Sequence, residues 1–235
     1  MKTIGLIGGI TWLSSVEYYR ILNTLVNEEL GGVSSAKLIL HSVDFAEIKS
    51  LTEAGRWDAI LDLMSDAAQK LEAAGAECIL LGANTMHKLA DDIQRSIKIP
   101  LLHIADETGK QIKNDGLQTV ALLGTRYTMQ LPFYSEKLAA HGITTIIPDQ
   151  EDIDYINNAI YTEMGKGVFL PETKEKFLDV INQLAARGAQ GVILGCTEIP
   201  LLLQQKDAAI KLYDTTLIHS RAAVRFALGK KLKGE

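Results

Sequence analysis

The chain has 235 residues, 47% of them hydrophobic, and its 24 basic and 29 acidic side chains give a formal net charge of −5. This length suits one large or two small domains whose cores need no disulfide or metal. The acidic balance argues against nucleic acid as a partner, since phosphate recognition needs a basic field. The sequence has neither a polybasic patch nor an apolar run of about 20 residues, so nothing in it indicates a membrane protein. The first eight residues predict a buried strand rather than a signal peptide, so we expect a cytoplasmic protein.

Short apolar runs alternate with helical patterns along the first half of the chain. Ser14 and Glu17 form a possible capping box at the start of the first helix. Apolar residues from Trp57 to Leu71 recur with the one-faced spacing of an amphipathic helix. In chain order the patterns predict a strand at 3–8, a helix at 14–29, strands at 37–43 and 77–82 flanking a helix at 56–74, and a short strand at 101–104.

The second half repeats this scheme. Residues 118–125 parallel residues 2–9, and residues 187–198 parallel residues 74–85. Strands this apolar, separated by helices, predict parallel sheets covered on both faces. The patterns predict strands at 118–124, 144–147, 191–195 and 210–213, and helices at 151–164, 172–187 and 215–229.

The predicted fold is therefore α/β, with two pseudo-symmetric lobes that each hold a mostly parallel sheet flanked by helices. We expect the first lobe to cover residues 1–97 and the second to cover 98–214. The last helix, with the remaining residues to 235, is expected to pack back on the first lobe.

Glycine followed by small or hydroxyl residues marks four predicted strand ends, at 8–11, 82–85, 124–127 and 195–198. Ligands of open parallel sheets bind beyond the carboxyl ends of the strands. Two of these turns come from each lobe, which predicts one inter-lobe cleft of approximate twofold symmetry. Free backbone N–H groups at such turns suit a carboxylate.

Cys196 follows a strand-ending glycine, and we expect a helix N-terminus there to lower the pKa of its thiol. Cys78 lies inside an apolar strand and is expected to be a small core residue. No dinucleotide, Walker or zinc-protease motif is present, and the five histidines lack metal-ligand spacing. His87 and His219 follow strand ends, where they could line the cleft or form structural hydrogen bonds.

Three segments resemble signatures of the aspartate/glutamate racemase superfamily: residues 8–12, Gly-Gly-Ile-Thr-Trp; residues 84–87, Asn-Thr-Met-His; and residues 195–199, Gly-Cys-Thr-Glu-Ile. The resemblance runs nearly end to end and is greatest to the aspartate racemase and broad-specificity amino-acid racemase branch. It implies a homodimer that uses no cofactor or metal and inverts the α-carbon of a small-molecule amino acid with two opposed cysteines.

On this resemblance, Cys196 carries the α-proton and the substrate is aspartate or glutamate. Proton transfer at a stereocentre needs a base on one face and an acid on the other, and duplicated lobes can supply one each. Lys166 matches the family's lysine on the substrate side. The expected substrate shell is Ile10, Thr52, Ala83, Asn84, Thr85, Thr125, Lys166, Thr197 and Glu198.

Ala83 stands where the family pattern has its first cysteine, and a methyl group cannot carry a proton. Three explanations stay open. The alanine could be an engineered Cys-to-Ala change that leaves an amino-acid-binding protein, or it could be native, with the proton carried by water, Thr85 or His87. The protein could also use one-face chemistry like that of the single-cysteine arylmalonate decarboxylases. Thr52 also replaces an arginine or glutamine that relatives direct at the side-chain carboxylate, which leaves aspartate specificity open.

Overall fold

The computed structural model describes residues 1–233, which divide into two compact units. The first unit holds Met1–His103 and the described residues from His219 onward, and the second holds Ile104–Ile218. Residues 234 and 235, which the sequence prediction placed beyond the last helix, lie outside the described residues.

Every strand pairing in the described chain is parallel, and helices flank both sheets, which confirms the predicted fold class. The strands are β1 (Ile4–Gly8), β2 (Leu38–Ser42), β3 (Cys78–Leu81), β4 (Thr119–Gly124), β5 (Thr144–Ile146), β6 (Gly191–Gly195) and β7 (Lys211–Asp214).

The helices are α1 (Trp12–Leu30), α2 (Phe45–Glu53), α3 (Trp57–Ala73), α4 (Ala90–Arg95), α5 (Ile104–Asn114), α6 (Arg126–Gln130), α7 (Pro132–Ala139), α8 (Gln150–Thr162), α9 (Pro171–Ala186), α10 (Ile199–Leu202) and α11 (Thr215–Leu228). Short 3₁₀ helices cover Asn84–Leu89, Met164–Lys166 and Gln205–Asp207.

The sheet of the first unit has the strand order β2-β1-β3. The predicted fourth strand at 101–104 is wrong: Leu101 makes only an isolated parallel bridge to Ile79. Pro100 has no N–H to extend this pairing, and Ile104 already begins α5. All five residues of β1 are buried, as a central parallel strand requires.

The sheet of the second unit has the order β5-β4-β6-β7. At its carboxyl end Gly124 pairs with Gly195, and the strands approach so closely that a Cβ on Gly124 would lie 2.7 Å from the Gly195 carbonyl oxygen. Both glycines are therefore needed to bring the turns that follow β4 and β6 side by side.

The ends of the first and last helices fix where the chain turns. Thr11, not Ser14, caps α1: its Oγ1 accepts from the Ser14 backbone N–H at 3.3 Å, so the predicted capping box is wrong. At the other end of the chain, the Lys2 backbone N–H donates to the Ala227 carbonyl at 2.8 Å, which ties α11 to the segment before β1. None of the helices in residues 1–233 is long and apolar enough to cross a bilayer.

Candidate active site

In the first unit, the turn after β1 depends on a glycine. Gly9 has φ +87°, and a Cβ there would lie 2.1 Å from the Val43 carbonyl oxygen. Its N–H donates to Oγ of Ser15 at 2.7 Å, which joins the turn to the first turns of α1. Ile10, a predicted substrate-shell residue, is buried in the same apolar cluster as Ala83.

Ala83 occupies the turn after β3, in an extended conformation just before the 3₁₀ helix that starts at Asn84. Asn84 and Thr85, both predicted to meet substrate, are buried. Thr52 is buried on α2, where its Oγ1 donates to the Ile48 carbonyl at 2.7 Å. The first unit thus holds five predicted site residues, and all five are buried.

Three histidines of the first unit stand behind the Ala83 turn: His87 and His219 are buried, and His103 is half-buried. The ring centroid of His87 lies 4.9 Å from that of His103 and 5.4 Å from that of His219, and Nδ1 of His87 lies 3.1 Å from the Ala83 carbonyl oxygen. Burial first, then the neighbouring His103 and His219, holds the pKa of His87 well below its usual value. His87 is therefore neutral near pH 7 and bonds to the backbone of the turn, as the structural alternative anticipates.

In the second unit, the turn after β4 repeats the cap found after β1. Oγ1 of Thr125 accepts from the Thr128 backbone N–H at 3.3 Å and lies 3.2 Å from the Thr128 hydroxyl. Thr11 and Ser14 make the same pair of contacts, both at 3.3 Å, in the first unit. Each unit therefore uses a threonine cap, with a hydroxyl residue three positions on, to turn its central strand into a helix.

The turn after β6 brings together Cys196, Thr197 and Glu198. The Cys196 thiol donates to Oε2 of Glu198 at 2.9 Å, and the Thr197 hydroxyl donates to the same oxygen at 2.8 Å. Only 8%, 6% and 3% of these residues, in that order, is exposed. The turn is therefore a buried cluster of a thiol, a hydroxyl and a carboxylate.

The predicted lowering of the Cys196 pKa is wrong. Burial raises the pKa of this thiol well above its usual value, and the charge and hydrogen bond of Glu198 raise it further. The helix that follows, α10, has one turn and begins only at Ile199, so its dipole offers little compensation. Cys196 is a neutral thiol near pH 7. Burial also raises the pKa of Cys78 to about 12, in keeping with a core residue of β3.

Lys166 is exposed at the end of the short 3₁₀ helix between α8 and α9. Gly167, which follows it with φ +77°, reverses the chain there. Thr125, Thr197 and Glu198 lie instead with Cys196 at the ends of the paired strands β4 and β6. In residues 1–233, no three histidine, cysteine, aspartate or glutamate side chains form a group that could hold a metal ion.

Comparison with known proteins identifies this arrangement. Residues 7–223 match the family model described as Asp/Glu/hydantoin racemase. The chain belongs to the Asp/Glu/hydantoin racemase family. It is 26% identical over 169 residues to the broad-specificity amino-acid racemase RacX of Bacillus subtilis. The aligned residues cover 71% of this chain and 72% of RacX.

Two crystal structures of the family extend the likeness to nearly the whole chain. A protein assigned as an Asp/Glu racemase, from Yersinia pestis, is 48% identical with a TM-score of 0.90, covering 97% of this chain and 100% of that one. An aspartate racemase homologue from Pyrococcus horikoshii, PH1733, is 34% identical with a TM-score of 0.85 and the same coverage. Membership in a family of racemases, which are isomerases, confirms the resemblance found in the sequence.

Two features of the site were not predicted from the sequence. One is the direction of the Glu198 carboxylate, which meets the thiol. The other is the histidine cluster behind Ala83, whose members are far apart in sequence. The spacing Cys-x-Glu was a usable signal for the first, since residues two apart in a tight turn can fold onto each other. No local sequence pattern predicted the histidine cluster.

Proposed function

We propose that the protein is a cofactor-independent amino-acid racemase that acts on aspartate or glutamate. Cys196 exchanges a proton with the α-carbon on one face of the substrate, and Ala83 stands at the position that serves the opposite face in the family pattern. The observation that carries this proposal is the buried thiol of Cys196, at the carboxyl end of β6, in a chain of the racemase family.

The substrate's α-carboxylate must be held for the reaction to proceed, because removal of the α-proton leaves charge that spreads into it. Asn84, Thr85 and Thr197 supply polar side chains that are buried at the strand ends. In the proposed complex the side chains of Asn84 and Thr85 donate to the carboxylate, while the Thr197 hydroxyl keeps its hydrogen bond to Glu198. Donors fixed before the reaction stabilise the carbanion more than water would.

The face of Ala83 lacks a thiol, so a water molecule moves the proton there in our proposal. The hydroxyl of Thr85, two residues along, orients this water. His87 is not assigned this role, because its Nδ1 is engaged with the Ala83 carbonyl and burial holds its pKa low. Water is a weaker acid and base than a positioned thiol, so this face limits the rate.

Lys166 is proposed to pair with the side-chain carboxylate of aspartate or glutamate. It is an exposed cation on the segment between α8 and α9. We also propose a cytoplasmic homodimer, on the strength of the resemblance to the racemase branch. Light scattering on the purified protein tests the dimer: a mass near twice 25.7 kDa is expected, and a mass near 25.7 kDa contradicts it.

The activity is tested by incubating the protein in heavy water with single enantiomers of a panel of amino acids. Loss of the α-proton signal by NMR and appearance of the other enantiomer on a chiral column are expected, fastest for aspartate or glutamate. Neutral amino acids serve as the comparison. Exchange with no substrate of the panel, together with carbon dioxide release from an arylmalonate, would contradict the proposal and indicate a lyase.

A further inference from the structure

Helix α1 carries an apolar stripe on its outer face. Trp12, Val16 and Tyr19 are 66%, 51% and 58% exposed, and they follow one another at the i, i+4 and i+7 spacing of a single helix face. The opposite face of α1 consists of buried residues, among them Tyr18 and Leu22. A helix on the surface of a monomer usually carries polar residues on its outer face. The stripe is therefore apolar surface that the first unit leaves uncovered.

Leu40, on the outer strand β2, extends this stripe onto the edge of the sheet and is 46% exposed. Its Cδ1 and the Oγ of Ser15 lie 2.8 Å and 2.5 Å from the position that a Cβ on Gly8 would take, so Leu40 lies against α1. Because a fully buried aromatic side chain covers about 150–250 Å², the stripe and Leu40 together expose roughly 400 Å². A standard dimer interface buries about 800 Å² per partner, so this patch is large enough to form the apolar centre of one.

The stripe itself is uncharged, and the charged side chains beside it pair with each other. Arg20, which follows Tyr19, donates to Oε2 of Glu17 from Nε at 3.0 Å and from Nη2 at 2.8 Å. A membrane surface or a nucleic acid is recognised by lysine and arginine side chains whose charge is not neutralised within the protein. Exposed aromatic residues with an arginine at their margin are instead typical of protein interfaces. The stripe therefore fits a protein partner.

The order of residues along the stripe favours a second copy of this chain as that partner. Trp12 lies four residues before Val16 and Tyr19 three residues after it, so the two aromatic residues are about 10 Å apart along the helix with the valine between them. In a twofold contact, residue i of one copy meets residue j of the other, and j meets i. Two antiparallel α1 helices that cross at Val16 thus bring Trp12 of each copy against Tyr19 of the other. The stripe is complementary to itself.

We infer that the exposed face of α1 is the surface through which two copies of the chain associate, an inference that rests on the homodimer proposed above. The two helices pack antiparallel, with Val16 of both copies at the twofold axis and an aromatic pair of Trp12 and Tyr19 on either side of it. Aromatic pairs contribute more than the area they bury. Leu40 borders the contact, and Arg20 lies at its rim beside the Trp12 ring of the second copy, where a guanidinium is attracted to the ring face.

Val16→Glu tests the surface, because it sets two carboxylates against each other at the axis. The dimer dissociation constant should rise about 10²-fold or more, since like charges that lose water at an interface repel strongly. Val33→Glu is the matched control: it makes the same change at a fully exposed valine beyond the end of α1. Light scattering over a dilution series should give the unsubstituted protein and Val33→Glu a mass near twice 25.7 kDa, and Val16→Glu a mass near 25.7 kDa.

Val16→Cys tests the position of the axis with a change that leaves the surface uncharged. A short bismaleimide should join the two thiols of a dimer, which then runs as a covalent dimer on a denaturing gel. Cys78 and Cys196 are buried, so the unsubstituted protein should not cross-link. Val33→Cys, whose thiols would lie far from the axis, should also remain a single chain. This measurement decides the matter if urea unfolding shows that Val16→Glu does not fold.

Two kinds of failure can be told apart. If the unsubstituted protein is a dimer, then a dimeric Val16→Glu, or a Val16→Cys that does not cross-link, would overturn the inference and leave the homodimer in place. If the unsubstituted protein has a mass near 25.7 kDa at every concentration, both the inference and the proposed homodimer are wrong. Racemisation is measured separately by exchange of the α-proton, so neither result bears on the proposed reaction.

Discussion

The phenol of Tyr18 donates a hydrogen bond of 2.8 Å to Nδ1 of His219, which lies 201 positions later in the chain. The other ring nitrogen of His219, Nε2, lies 2.8 Å from the Leu102 carbonyl oxygen. A carbonyl only accepts, so Nε2 carries the proton and Nδ1 is free to accept from Tyr18. This arrangement joins α1, α11 and the segment before α5, and it requires a neutral imidazole.

Acid should therefore destabilise the protein through His219. Its pKa is lowered to about 4, mainly by burial. The hydrogen bond to Leu102 raises the pKa, and the neighbouring His103 lowers it by a smaller amount. The unfolded chain, with a histidine pKa of about 6.5, binds the proton first as the pH falls. Stability is thus lost between about pH 6.5 and pH 4, by roughly 3 kcal/mol for this residue.

Urea unfolding at several pH values in this window measures the effect. His219→Gln should lower stability at pH 7 and flatten its pH dependence. His41→Gln, which removes a half-buried histidine of β2, is the control and should keep the slope of the unsubstituted protein. An equal slope in His219→Gln would show that other groups cause the acid loss. His87 and His103, which stand beside His219, are the next to test.

Installing a thiol at position 83 should accelerate racemisation. In the proposed reaction Ala83→Cys supplies the proton carrier that the second face lacks, and a well-placed acid or base contributes about 10²–10⁴-fold. The rate is followed by chiral chromatography with aspartate or glutamate. Ala76→Cys adds a buried thiol just before β3, at the other end of the strand, and should leave the rate unchanged. No acceleration in Ala83→Cys would indicate that an effective carrier already serves that face.

Loss of Lys166 should weaken acidic substrates selectively. Lys166→Ala removes an exposed cation proposed to meet the second carboxylate, so KM for aspartate or glutamate should rise more than KM for a neutral amino acid. An exposed ion pair is worth up to about 1 kcal/mol, which is about a fivefold change. Lys113→Ala, at the end of α5, is the matched exposed lysine. Equal losses for acidic and neutral substrates would show that Lys166 is only a surface charge.

Replacing Gly9 should destabilise the first unit through two effects. A side chain at φ +87° costs about 1–2 kcal/mol, and a Cβ 2.1 Å from the Val43 carbonyl oxygen adds the cost of overpacking, about 1–3 kcal/mol. Gly32→Ala separates them, because Gly32 has φ +61° with no heavy atom within 4 Å of its Cβ position. Urea unfolding should show a larger loss for Gly9→Ala, and equal losses would mean that the turn relaxes.

Hydrophobic patterning was enough to predict the parallel sheets. The continuous apolar runs of β1, β4 and β6 lie within a residue of their predicted positions, because central parallel strands are buried on both faces. The helix α5 was missed, since its first residue, Ile104, was assigned to a strand that the structure reduces to one bridge. Helix α2 was missed as well: it has only nine residues, two of them buried, so its periodicity is weak.

The candidate site was predictable as a set of positions but not as chemistry. Strand-ending glycines located the turns of Ala83, Thr125 and Cys196, because ligands of such sheets bind beyond the carboxyl ends. The pKa of Cys196 was predicted in the wrong direction, because it depends on burial and on where the Glu198 side chain points. Side-chain direction within a turn follows from three-dimensional packing and cannot be obtained from spacing alone.

Deuterium exchange shows whether the thiol of Cys196 moves the α-proton, as we propose. Single enantiomers of aspartate and glutamate are incubated in heavy water with the unsubstituted protein, Cys196→Ser and Cys78→Ala. We predict exchange at the α-carbon with the unsubstituted protein and with Cys78→Ala, and its loss in Cys196→Ser, because an alcohol is scarcely ionised where a thiol can be. Exchange in Cys196→Ser at the rate of the unsubstituted protein would show that the thiol does not move the α-proton.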